Sequence, residues 1–249
     1  MDPVLLIPRR LRGARYCNLS VEGGEYFNLA RRFQGTSNLC WCGWVNLRSF
    51  PTTGNRPFWY AHSPTYNIGW SIYFRQTTRM LQISWGNGSA IADMLATTNA
   101  IPIGSWTFIA INIDRAGNIT AYLNGSGTKV IEGDISAYSA VSWDVTPTTW
   151  YMGGVWNSSH DVFISRVGFS IGNLLTLEEI DTLYNGGYGL MYSQLTGDLI
   201  TKFANQDYWN CNELSGVLVN SSTPAHHATG ENKNLGTTTA IKSVGPPRP

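Results

Sequence analysis

Apolar and polar residues alternate most clearly over residues 105–125, SWTFIAINIDRAGNITAYLNG. Trp106, Phe108 and Ala110 fall on one face of an extended chain; Thr107, Ile109, Ile111 and Ile113 fall on the other. A period of two carried by aromatic and β-branched residues predicts a strand. Residues 114–118 read as a loop, after which Ile119, Ala121 and Leu123 alternate with Thr120, Tyr122 and Asn124. Asn124-Gly125 supplies a pair that tolerates positive φ in a tight turn. Both faces of the first strand are apolar, so the hairpin is predicted to be covered on both sides or to lie at the middle of a sandwich.

The same period recurs along the chain. In residues 38–47, NLCWCGWVNL, one face takes Leu39, Trp41, Gly43 and Val45, and the other takes Cys40, Cys42 and Trp44. Further short strands are predicted as two within 16–33, one opening at 58–60, and others at 67–74, 80–85, 128–135, 149–155 and 161–169, with residues 86–88 as a turn. One helix stands out at 176–184. Thr176 caps it, Glu179 completes a capping box, Leu177, Ile180, Leu183 and Tyr184 form its apolar stripe, and Gly186-Gly187 stops it. Beyond it, YWNCNEL in residues 207–214 again reads as a strand. About a dozen short strands followed by one short helix predict an all-β jelly-roll β-sandwich over residues 16–216.

Two segments break the pattern. In residues 1–15, Pro3 and Pro8 favour extended backbone, Val4, Leu5, Leu6 and Ile7 make an apolar anchor, and Arg9, Arg10 and Arg12 concentrate positive charge. This arm is expected to lie over a neighbouring subunit. Residues 217–249 are rich in Asn, Thr, Ser and Gly and end in GPPRP, which reads as an extended tail.

Composition narrows the function classes. Charged residues make up 13% of the 249, against roughly 25% in ordinary globular proteins, while 12% are aromatic and 10 are Trp. Many half-buried strands explain such a chain. A formal net charge of +1 gives no electrostatic handle for nucleic acid. The run Val4-Leu5-Leu6-Ile7 is far too short for a signal peptide core or a membrane span. The expectation is therefore synthesis in a cytoplasm without a signal peptide, and no membrane partner. Cys17, Cys40, Cys42 and Cys211 show no metal-ligand spacing and read as buried thiols.

Four stretches together resemble the laminin-G-like, concanavalin A-like jelly-roll modules of bacterial surface proteins and phage structural proteins. They are LCWCGWVNL with Trp44; SWTFIAINID followed by AYLNG, with Trp106, Ala110, Tyr122, Asn124 and Gly125; LTLEEIDTLYNGG; and YWNCNELSG. The last stands after the closing helix where the family usually has it before the first strand, and it is expected to return to the same body. A second departure is Ile164-Ser165 where the family carries Ile-Asp. The resemblance implies a concanavalin A-like lectin/glucanase fold, with sugar binding, a single Ca²⁺ or glycoside hydrolysis among its relatives.

Each implied chemistry has a requirement. Retaining hydrolysis needs two carboxylates about 5 Å apart, and the only nearby acid pair, Glu132-Gly133-Asp134, sits in a turn-prone stretch. No enzyme is expected. Calcium needs six to eight oxygens; Asp93, Asp144 and Asp161 are the loop acids to consider, but turn or cap roles suit them better, so no cofactor or metal site is assigned. A sugar needs an aromatic plate beside amide or carboxylate groups. Trp59, Tyr60, His62 and Tyr66, with Trp156, Asn157 and Asp161, have that composition and are the candidate glycan contacts. Trp44, Trp106 and Trp209 sit in strand patterns and read as core. The expected function is a structural or interaction protein of an assembly, such as a phage-type virion decoration, fibre or minor capsid protein, homo-oligomeric through its arms and in contact with host glycans. A stand-alone lectin is the alternative, and a hydrolase is disfavoured.

Overall fold

The computed structural model describes residues 17–19, 26–29, 34–49, 56–63, 68–75, 78–96, 100–144, 150–153, 161–211, 217–218, 221–222 and 228–231. The strands are β1 (Cys17–Leu19), β2 (Tyr26–Leu29), β3 (Leu39–Ser49), β4 (Arg56–Ser63), β5 (Ile68–Phe74), β6 (Leu81–Asn87), β7 (Ile91–Leu95), β8 (Trp106–Ile113), β9 (Asn118–Leu123), β10 (Lys129–Asp134), β11 (Trp150–Gly153) and β12 (Asp161–Ile171). Then come helices α1 (Leu177–Tyr184) and α2 (Gly197–Phe203), and β13 (Asp207–Trp209), β14 (Val217–Leu218) and β15 (Ala228–Glu231). They form two antiparallel sheets. The first runs β1-β12-β3-β8-β9-β10, with β13 also on β12; the second runs β14-β15-β2-β11-β4-β5-β6-β7.

The alternation of the central hairpin decides what each face touches. Ile109, Ile111, Ile113, Ile119, Ala121 and Leu123 point between the sheets, where they meet Trp41, Val45, Trp59, Trp70 and Trp150. Phe108, Ala110 and Tyr122, with Cys40, Cys42 and Trp44 of β3, point out of the first sheet. That outer face is covered by Leu175, Ile180, Leu183, Leu195, Leu199 and Phe203 of the helical segment. A strand apolar on both faces is thus the middle layer of three. A Cβ added at Gly168 would stand 2.8 Å from a Phe203 ring atom, so the close approach of strand and cover needs glycine there, and one added at Gly43 would stand 2.8 Å from the Trp41 ring in the inter-sheet core.

Helix α1 begins as its sequence requires. The Thr176 hydroxyl accepts the Glu179 N–H at 3.2 Å, and the Glu179 carboxylate accepts the Thr176 N–H at 2.7 Å. Lys202 of α2 donates to the same carboxylate at 2.5 Å and to the Leu174 carbonyl at 2.8 Å, tying the helices together. The β8–β9 loop is fixed from below. Arg115, 2% exposed, stacks its guanidinium 3.7 Å from the Trp143 ring centre and donates to the Tyr138 and Val141 carbonyls at 3.0 and 2.5 Å. Burial lowers its pKa to about 10.

Four elements differ from the sequence reading. Residues 91–95 form β7, because Ala92 and Met94 register against Trp85 and Ile83 of β6, a cross-strand fit that a five-residue stretch does not advertise. Helix α2 follows α1, its Leu199 and Phe203 completing the cover on the first sheet. The tail is also not wholly outside the body: β14 and β15 extend the second sheet, with Thr229 opposite Asn28 and Gly230 opposite Phe27. The unpaired backbone groups of β2 reward any extended segment there, whatever its side chains. Strand β13 pairs with β12, Trp209 opposite Val167. The arm residues Val4, Leu5, Leu6, Ile7, Arg9, Arg10 and Arg12 lie outside the described residues. Among the described residues no helix is long and apolar enough to cross a membrane.

Candidate functional site

The structure divides the residues expected to contact a glycan. Trp59 is fully buried and points between the sheets, with Trp41, Trp70, Phe169 and Trp209 about 6 Å away. The sequence pattern missed this because β4 carries a bulge between Pro57 and Trp59, which turns Phe58 inward as well. Tyr60 points to the opposite side and stacks on Tyr151 at 6.1 Å, yet it is only 3% exposed. Burial, aided by Tyr73 and Tyr151, holds its phenol well above its ordinary pKa. Neither ring is a plate open to a ligand.

Register separates the rest. His62 lies on β4 opposite Gly69, whereas β11 leaves β4 in the other direction, with Tyr151 opposite Tyr60 and Met152 opposite Trp59. Strand β11 therefore ends, at Gly153, about 13 Å along the strand direction from His62, at ~3.3 Å per residue. Asp161 begins β12 opposite Ser49, in the other sheet. Tyr66, Trp156 and Asn157 lie outside the described residues. Of the described candidates, Trp59 and Tyr60 are closed to a ligand and Asp161 begins a strand of the other sheet.

The acids are similarly dispersed. Glu132 pairs with Lys129 at 2.7 Å, and Asp134 accepts the Ser136 N–H at 2.8 Å. Asp144 accepts the Gln34 N–H at 2.5 Å, and Asp93 sits in β7 opposite Ser84. Among the described residues no three His, Cys, Asp or Glu side chains converge to hold a metal.

What the fold does assemble is a recess of about 320 Å³ where the start of β8, the end of β9 and α1 meet. Trp44, Ser105, Trp106, Asn124, Tyr184 and Gly187 line it. Trp44 and Phe108 are cross-strand partners, so their rings stand side by side on the outer face, 5.5 Å apart. The α1 stripe brings Tyr184 over Trp44, stacked at 5.8 Å and 21°. Trp106, two residues before Phe108 on the same face, is half-buried beside them.

Asn124 fixes the polar side. Its φ of 54° is the left-handed conformation expected of an Asn-Gly turn. Its N–H donates to the Phe108 carbonyl, and its side-chain Oδ1 accepts the Phe108 N–H, both at 3.0 Å. The side chain thus continues the ladder, and Nδ2 is the group left to donate. The turn is held to α1 by Asp181, whose carboxylate accepts the Ser126 N–H and hydroxyl at 2.7 Å each. Those bonds, the backbone one foremost, lower the Asp181 pKa. Below Trp44, Gly189 lets the chain pass so close that an added Cβ would stand 2.3 Å from the indole nitrogen. Arg166, a bulge residue with φ 51°, donates to the Tyr188 carbonyl there.

Among the described residues no charged side chain lines this recess. It offers the half-buried rings of Trp106 and Tyr184, with the buried Trp44 behind them, beside an amide donor and a hydroxyl, and it suits a neutral ligand with one apolar face and directional polar groups. Reading Trp44 and Trp106 as core was right for Trp44, which is buried, and incomplete for Trp106. A signal was present: Trp106 begins its strand directly after Gly104-Ser105, where a ring can hang over the sheet's end.

The profile described as the concanavalin A-like lectin/glucanases superfamily matches residues 21–165, more than half of the chain. None of the curated proteins matches. Among solved structures, a single-site mutant of a protein named HCR/D is similar at 16% identity and a TM-score of 0.53, over 68% of this chain and 41% of that one. A structure described as showing that cell entry of botulinum neurotoxin type C depends on interaction with two ganglioside molecules is similar at 14% identity and a TM-score of 0.46, over 60% of this chain. This chain spans 35% of the length of that second structure.

Proposed function

The chain belongs to the concanavalin A-like lectin/glucanase superfamily, and from that premise we propose that it is a non-catalytic module that recognises glycans in the recess of Trp44, Trp106, Tyr184 and Asn124. The observation that carries this reading is the recess itself: the half-buried Trp106 and Tyr184 rings and an amide, with no charged side chain among the described lining residues. Sugar rings present an axial C–H face that stacks on such rings, while their hydroxyls need fixed partners such as Asn124 Nδ2 and the Ser105 hydroxyl. Binding without cleavage is supported by where the described acids are engaged. Glu132, Glu179 and Asp181 each have a structural partner, and none lines the recess. Hydrolysis would need two carboxylates facing the scissile bond.

The test is a glycan array probed with the full chain and with Trp106→Ala. The wild type is expected to bind a restricted set of neutral glycans, and W106A to bind them at least about tenfold more weakly, the equivalent of ~1.4 kcal/mol. Absence of any glycan binding, or equal binding by W106A, would overturn the reading.

We place this module at the surface of an assembly of the phage-virion kind, as a decoration, fibre or minor capsid component with host glycans outside it. The low charge content and the apolar, basic segment 1–15 support that context. Because β14 and β15 belong to the second sheet, the truncation test is confined to residues 1–15. The full chain is expected to form a homo-oligomer in solution and a chain lacking residues 1–15 to be a folded monomer. Equal masses by light scattering would remove the arm from the argument.

A further inference from the structure

The two walls of the recess come from parts of the chain far apart in sequence. Ser105, Trp106 and Asn124 belong to the hairpin and its approach, Tyr184 and Gly187 to α1 and the turn that ends it. The gap between them is set by how α1 lies on the hairpin. The helix is fastened ahead of its first turn, where Asn112 of β8 donates to the Leu175 carbonyl and accepts the Leu175 N–H, both at 2.8 Å. It is fastened again beside the recess, where the Asp181 carboxylate accepts both the N–H and the hydroxyl of Ser126 in the β9–β10 turn.

This second fastening matters more for geometry than for stability. Asp181 is exposed, and hydrogen bonds open to water add little to a fold, because water offers the same bonds once they part. Its position is another matter. Asp181 stands three residues before Tyr184, so the two side chains are neighbours on one face of α1. The turn is seated against both: a Cβ added at Gly125, φ +105°, would stand 3.0 Å from Asp181 Oδ1 and 3.3 Å from the Tyr184 ring. Asn124, the amide of the first wall, directly precedes that glycine. One pair of bonds therefore fixes the amide of one wall against the ring of the other.

We propose that the Asp181–Ser126 pair is a latch that sets the width of the recess, which makes Asp181 a positioning residue for glycan binding. It acts through Tyr184 and Asn124 and not on the sugar. This rests on the glycan reading above and adds a condition to it: the recess binds only while α1 is latched to the turn. With the latch gone, α1 keeps the Asn112 bonds and its apolar stripe, so the helix stays folded while Tyr184 samples wider positions. Affinity then falls in proportion to the time the walls spend at the right spacing.

The experiment titrates wild type, Asp181→Ala, Asp181→Asn, Ser126→Ala, the D181A/S126A double variant and W106A with the neutral glycan that scores highest on the array, and melts each protein. D181A is expected to bind about fivefold more weakly, as when the latched state falls to about a fifth of the population. It should melt within about 2 °C of wild type, since alanine suits an exposed helix position. D181N can accept the Ser126 N–H with Oδ1 and donate to the hydroxyl with Nδ2, so it should stay within about twofold of wild type. S126A keeps the backbone bond and should lose about twofold, and the double variant should be no weaker than D181A, the non-additivity of a contacting pair. If D181A binds like wild type while W106A loses the glycan, the latch is overturned and the recess stands. A D181A loss that comes with a melt more than about 5 °C lower, and that D181N does not restore, also overturns it, since the residue then serves the fold. If W106A binds like wild type, the glycan reading fails and takes the latch with it.

Discussion

Gly189→Ala is expected to lower the midpoint of thermal unfolding by roughly 6–12 °C, the equivalent of about 3 kcal/mol in a chain of this size. The estimate has two parts. Alanine at φ +65° carries a left-handed backbone cost of about 1 kcal/mol. Its methyl would also stand 2.3 Å from Trp44 Nε1 and 2.9 Å from Arg166 Nη1, and overpacking of that kind costs ~1–3 kcal/mol. Trp44 has little room to yield, being stacked between Phe108 and Tyr184. Gly186→Ala is the control. Gly186 has a similar φ of +58° but nothing within 4 Å of an added Cβ, so only the backbone part applies, about 1 kcal/mol. Because the clash falls on a wall of the recess, G189A should also weaken glycan binding, while G186A should leave it intact. If both variants melt alike, the Trp44–Gly189 contact is slack and Trp44 is not held in place from below.

How much of this was legible in the sequence depends on the range of the interaction. Strand β8 was readable because its alternation is local: every second residue from Phe108 onward goes under the helices, and every other one goes into the core. Helix α1 was readable because Thr176 and Glu179 cap it within one turn. Strands β7 and β15 were not, since what makes them strands is the open edge beside them. The recess lay beyond the reading for the same reason. Trp44, Trp106, Asn124 and Tyr184 are scattered over some 140 residues, and their meeting depends on the β3–β8 register and on α1 folding back across the sheet. Trp59 and Tyr60 misled in the opposite way: an aromatic run looks like a binding plate until a bulge and a neighbouring tyrosine bury it.

Helix α1 carries Tyr184 over the recess, and what holds α1 down can be tested through Lys202. Its side chain is 18% exposed and that of Glu179 11%, with Nζ 2.5 Å from the carboxylate. Removing one partner of a pair this buried strands the other charge, typically at ~3–5 kcal/mol, and the residual exposure places Lys202→Met near the lower end. Met keeps most of the packing of the lysine stem, so the loss reports the charge rather than a cavity. Glu179→Gln should also destabilise, since its amide meets the lysine with a weaker acceptor. The double variant, with no stranded charge, should recover a good part of the K202M loss. Equilibrium unfolding of the four proteins gives the coupling, and a pair in contact should depart from additivity by ~0.5–3 kcal/mol. The destabilisation should also be confined first to the helical layer. Amide exchange is expected to rise in residues 177–184 and 197–203 before the core strands, since the sheets keep their own contacts. Additive single losses below about 1 kcal/mol would mean the pair behaves as a surface contact. The cover would then rest on Ile180, Leu183, Leu199 and Phe203 alone, and Tyr184 would be positioned by apolar packing rather than by the ion pair.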